Sequence, residues 1–124
     1  MNSTSPNIVF VFGSNLAGRH GKGAAWYAMK HFGAVYGEGV GRTGRAYAIP
    51  TKDKELKSLP LDKIEDYISD FIDYAFKHPD TMFIFTALGT GLAGYEPSDI
   101  GNIMSMYHIP ENVYISAKLF GHVE

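Results

Sequence analysis

Residues Gly13–Ala25 read GSNLAGRHGKGAA and follow the apolar run IVFVF, Ile8–Phe12. A continuous β-branched and aromatic run is the pattern of a strand covered on both faces within a parallel sheet. From Gly23 to about Phe32, the residues Ala24, Ala25, Ala28, Met29 and Phe32 recur at helical spacing, and Gly33 is placed to end the helix. Strand, glycine loop and helix in succession predict an α/β fold. The loop itself carries four glycines with Arg19, His20 and Lys22, a composition suited to holding an anion through backbone N–H groups.

The rest of the chain repeats the alternation. Four glycines in VYGEGVGRTG lead into Ala46–Ile49, a second strand that Pro50 is expected to close. A helix is expected from about Asp62 to Lys77: Asp62 and Glu65 have capping-box spacing, and Ile64, Ile68, Phe71, Ile72 and Ala75 form one apolar face. Met82–Thr86 reads as a third strand, ALGTGLAGY (Ala87–Tyr95) as a second glycine loop, and Pro97 as the first turn of a helix reaching about Tyr107. Asn112–Ser116 reads as a fourth strand. Strands separated by helices imply a mainly parallel sheet flanked by helices.

Length and composition bound the function. The 124 residues, 45% hydrophobic and 19% charged, suit one globular domain over positions 1–124. The chain has no cysteine, which excludes disulfides and thiolate chemistry and fits a reducing, cytoplasmic setting. No apolar run approaches the ~20 residues of a membrane span, so no membrane partner is expected. The net charge of −2 conceals an asymmetry: residues 1–52 hold six basic residues against the single acid Glu38, and the remainder holds five against twelve acids. A uniformly basic nucleic-acid coat is therefore excluded, and a local anion site in the first half is favoured. The five histidines lack metal-ligand spacing, so neither metal nor cofactor is expected.

Both glycine loops follow a strand and precede a helix, which brings them to the carboxyl edge of the sheet, where α/β proteins bind ligands. GRHGKGA lacks the Ser or Thr that a P-loop needs after its lysine, and GSNLAG is not the dinucleotide fingerprint GxGxxG. Phosphate or diphosphate held by backbone remains.

The order and spacing of three motifs resemble the macro domain family, which binds ADP-ribose and related nucleotides in a cleft on a three-layer α/β/α sandwich. They are Asn15 with GKGAAWYAMKHFG, YAIPTKD over Tyr47–Asp53, and ALGTGLAGY. The likeness covers most of the chain and is greatest to the DarG-type branch, which removes ADP-ribose from DNA. Short phage-encoded proteins are similar at the first loop. The resemblance implies a compact macro-like sandwich with a mixed, mainly parallel sheet. It implies that Asn15 contacts the distal ribose and that Gly13, Ser14, Gly21, Lys22 and Gly23 line the first loop. Gly89, Thr90, Gly91, Leu92, Ala93 and Gly94 would wrap the diphosphate, with Tyr95 beside the distal ribose or the base, and Thr51 and Lys52 close to the same cleft.

Departures from the family bear on chemistry. The aspartate that reads adenine in many macro domains has no counterpart before Ile8, and Ala93 stands where a hydrolytic type carries an acid. In the lysine-dependent branch Met29 occupies one helix-lysine position and Lys30 the next, so the catalytic candidates are Asn15 and Lys30. His20 and Asp53 are the nearby groups able to accept a proton; taken alone, His20 reads as a solvated loop histidine and Asp53 as a turn cap. Three functions stay open: a module that binds, and by analogy sequesters, an ADP-ribose-like nucleotide; a hydrolase releasing ADP-ribose from DNA or protein, with nucleic acid only as a modified substrate; and a macro-like scaffold without ligand.

Overall fold

The structure, a computed structural model, describes residues 7–86 and 94–115. Its elements are β1 (Asn7–Asn15), α1 (Gly23–Phe32), β2 (Gly41–Thr43), β3 (Ala46–Lys52), α2 (Leu61–Phe76), β4 (Thr81–Phe85), α3 (Pro97–Ser105) and β5 (Val113–Ile115). The strands form one sheet in the order β2-β3-β1-β4-β5. The β3–β1, β1–β4 and β4–β5 pairs are parallel, and β2 joins β3 antiparallel. The expected mixed, mainly parallel α/β sheet is therefore present, with β2 added as a short edge strand.

The apolar run of β1 is continuous because side chains alternate between two buried faces. Val9 and Val11 pack with α2 and α3 through Ile64, Ile68, Phe71, Ile100 and Met104. Phe12, with Phe10 beside it, packs on the other face against Ala25 and Ala28 of α1. Helices thus lie on both sides of the sheet, giving three layers. Alanines at the α1 contact let that helix sit close to the phenylalanine-bearing face of β1.

Two local expectations are corrected. Pro50 does not close its strand: β3 continues to Lys52. The last β2 pairing is Gly41 with Ala48, so beyond Ala48 a missing proline N–H leaves no β2 bond unmade. The Asp62–Glu65 capping box does not form either, because the N-cap of α2 is Pro60, two residues before Asp62, which falls in the first turn. A reciprocal cap forms instead on α3, where Glu96 and Asp99 bond each other's backbone N–H groups and Pro97 occupies the first turn.

Tyr47 of β3 is buried against Phe71 and Tyr74. Burial, then the nearby Asp70 and Tyr74, pushes its hydroxyl from 10.0 up to about 12. The folded value lies above the unfolded one. The stability it contributes is therefore whole below about pH 10 and is lost as pH rises through about 12. Chemical denaturation across that interval should show a steeper loss of stability in the wild type than in Tyr47→Phe; equal slopes would contradict this account of Tyr47.

Candidate functional site

The carboxyl ends of β1 and β3 meet at one edge, where Asn15 and Lys52 are paired. There the first glycine loop turns on Asn15. Its Nδ2 donates to the Arg19 carbonyl at 3.0 Å, its Oδ1 accepts the Arg19 N–H at 2.9 Å, and its own carbonyl accepts the Gly18 N–H at 2.9 Å. The side-chain amide thus has one N–H and one acceptor direction left over. Its first task is to shape the loop.

The glycine-rich segment after α1 folds back onto this loop. Gly37 N–H donates to the Gly18 carbonyl at 2.7 Å, and Ser14 Oγ donates to the Gly39 carbonyl at 2.5 Å. Contact is backbone to backbone: a Cβ on Gly39 would lie 2.0 Å from the Asn15 carbonyl oxygen, and one on Gly18, whose φ is +71°, would lie 2.2 Å from the Gly37 carbonyl carbon. Thr51 Oγ1 donates to the Ser14 carbonyl at 3.3 Å. Ser14 and Thr51 are both buried, and their hydroxyl protons brace β1 against its neighbours.

His20 is not a solvated loop residue. It is fully buried, edge-on to Phe12 at 5.4 Å and close to Tyr36 at 6.1 Å. Its Nε2 lies 3.2 Å from the Glu38 carbonyl, which can only accept, so Nε2 carries the proton. Nδ1 is buried without a partner among the described residues. Burial here depends on Tyr36 and Glu38 arriving from the later segment. A lone histidine in a glycine loop carries no periodic signal that would have disclosed it.

Gly21, Lys22 and Gly23 are exposed at the start of α1. Lys22 is the N-cap residue, its side chain makes no capping bond, and the first turn contains no acid. The leading N–H groups of this helix and its positive end therefore face outward unopposed by a carboxylate. The contrast with α3, closed by Glu96 and Asp99, is direct.

Other expected site residues lie apart. Lys30 is eight residues past Lys22, about 12 Å along the helix axis; it is exposed, with Nζ 5.7 Å from the Trp26 ring centroid. Asp53 caps its turn as expected, Oδ1 accepting from the Glu55 and Lys57 N–H groups at 2.9 Å each. Gly94 has φ +86°, and Tyr95 packs against the larger core while its hydroxyl donates to the Leu59 carbonyl at 2.5 Å. Gly89, Thr90, Gly91, Leu92 and Ala93 lie outside the described residues. Among the described residues, no three His, Cys, Asp or Glu gather as a metal site, and no helix is long and apolar enough to cross a membrane.

No protein-family model matches the chain, and no curated protein matches it. Solved structures do. One is that of Thermosipho africanus DarTG in complex with ADP-ribose, with a TM-score of 0.64, 21% identity and 90% of this chain covered. The fold is macro-domain-like. The chain spans 39% of that DarTG chain. A Bacteroides thetaiotaomicron protein of unknown function also matches, with a TM-score of 0.57 and 19% identity over 90% of this chain and 89% of the other. In this macro-domain-like frame the two glycine segments before and after α1 are joined by backbone contacts into one wall, with the open end of α1 following the first of them.

Proposed function

We propose that the chain binds ADP-ribose or a related NAD-derived diphosphate nucleotide at the edge formed by the first glycine loop and the ends of β1 and β3. The observation that carries this reading is the N-terminus of α1. It follows a glycine loop, has no side-chain cap, bears no acid in its first turn, and starts at Lys22 between Gly21 and Gly23. Such an end offers several N–H donors and a partial positive charge to phosphate oxygens. The DarTG structure, solved with ADP-ribose on the same fold, supports the choice of ligand class.

Gly13, Gly21, Lys22 and Gly23 then approach the phosphates. Ser14 and Thr51 act behind the surface as braces, and Asn15 uses its remaining hydrogen-bonding capacity toward the distal ribose. Lys52 contributes charge at the end of β3. By the family resemblance, Gly89, Thr90, Gly91, Leu92, Ala93 and Gly94 wrap the diphosphate, with Tyr95 following. In this reading a nucleotide signal is sequestered and not consumed. Holding is favoured over cutting because Lys30 lies roughly two helical turns beyond the open end of α1 and Ala93 replaces an acid.

Incubation with ADP-ribosylated DNA and with ADP-ribosylated protein should release no ADP-ribose, while free ADP-ribose raises the thermal midpoint. Release that disappears in Asn15→Ala or Lys30→Ala would replace the binding reading with hydrolysis. No thermal shift and no release would leave the fold without this ligand.

A further inference from the structure

We propose that an open cavity at the opposite edge of the sheet binds a small organic cation, independently of the nucleotide site. The cavity measures about 630 Å³, within the range of small-molecule sites. Asn7 and Thr81, which line it, are the first residues of β1 and β4. The first glycine loop turns on Asn15 at the other end of β1, roughly 25 Å away at the rise of a strand, so both sites can be filled together.

The lining selects a donor. Asp80 and Glu111 contribute carboxylates and no Lys or Arg lines the cavity; among the described residues neither carboxylate has an ion-pair or hydrogen-bond partner. Of the amide donors nearby, those of Asn112 are engaged and one of Asn7's two is. Asn112 Nδ2 serves the carbonyls of Ala75, His78 and Thr81 at 3.1, 2.9 and 2.9 Å, and Asn7 Nδ2 donates to Thr81 Oγ1 at 3.0 Å. What the two asparagines have left to offer is largely carbonyl oxygen.

Ring faces supply the apolar walls. Phe76 stacks on His108 with centroids 6.1 Å apart and planes 13° from parallel, and Phe76 and Tyr114 are each 51% exposed. Carboxylates without a partner among the described residues, lining one cavity with half-exposed rings, attract an ammonium or guanidinium through charge-assisted hydrogen bonds and the ring quadrupole. An anion would meet two carboxylates that no described cation pairs with, and a neutral ligand would forgo both attractions.

Agmatine, which carries a guanidinium and an ammonium group, is the probe, titrated into the whole chain and followed by amide NMR, with n-butanol as the neutral comparator. Saturable shifts at Asp80, Glu111 and Tyr114 are expected with agmatine and not with butanol. The apparent Kd should rise about tenfold or more in the Asp80→Asn, Glu111→Gln double variant, and about threefold in Tyr114→Ala. Both acids are exposed, so the double variant keeps the wild-type thermal midpoint. Absence of saturable shifts up to roughly 10 mM agmatine, an equal response to butanol, or an unchanged Kd in the double variant would overturn the proposal.

Discussion

Gly39→Ala should lose about 3 kcal/mol of stability and lower the thermal midpoint by roughly 10 °C, although it adds one methyl group. That methyl would sit 2.0 Å from the Asn15 carbonyl oxygen and 3.2 Å from the Gly18 nitrogen. Both are backbone atoms, which cannot swing aside as the end of a side chain does. The two glycine segments must separate, and the Ser14–Gly39 and Gly37–Gly18 hydrogen bonds part with them. ADP-ribose affinity should fall at least tenfold because the wall beside α1 is no longer formed. Gly37→Ala is the matched control. Its φ of +98° imposes strain, but a Cβ there meets nothing within 4 Å, so about 1 kcal/mol is expected. Equal midpoints for the two variants would show that close approach at Gly39 does not hold the wall together.

Phe71→Ala should cost about 4 kcal/mol while leaving nucleotide affinity, measured well below the midpoint, within about twofold. Phe71 is fully buried on α2, with ring centroids 5.1 Å from Tyr47, 5.3 Å from Phe83 and 5.5 Å from Phe85. Removing it opens a cavity between α2 and both β3 and β4, which close-packed surroundings refill only in part. Its packing partners lie in the larger core, whereas the glycine wall rests on Phe12 and the smaller core on the α1 side. Denaturant unfolding gives the first quantity and calorimetry on the folded variant the second. Coupled losses in both would mean that the two faces of the sheet do not act independently.

The fold was legible wherever burial imposed a period. Ile64, Ile68, Phe71, Ile72 and Ala75 mark the buried face of α2 as expected, and the run Ile8–Phe12 marks a strand covered on both faces. β2 was not legible, since Gly41–Thr43 is three residues long and its pairing with β3 is set by a turn, not by an apolar pattern. The cap on α3 was half visible: Pro97 announced the helix, and the reciprocal Glu96–Asp99 bonds did not stand out against the similar spacing of Asp62 and Glu65.

At the candidate site the loop was legible and its internal order was not. Glycines disclose where backbone can approach, yet they do not say what approaches. The excursion around Gly37 and Gly39 seals His20 and engages Ser14, contacts between segments about 20 residues apart. Asn15 stood out as a polar residue at a strand end, and its clamp on Arg19 needs the folded loop to be seen.

The central claim is that the open end of α1 and the glycine wall hold the diphosphate of a nucleotide. Calorimetric titration with ADP-ribose, compared with AMP and with ribose 5-phosphate under the same conditions, tests it most directly. Saturable one-to-one binding of ADP-ribose is expected, at least tenfold tighter than either fragment and weakened at least tenfold by Gly39→Ala. Absence of heat and of competition at millimolar ADP-ribose, or equal affinity for AMP and ADP-ribose, would contradict it.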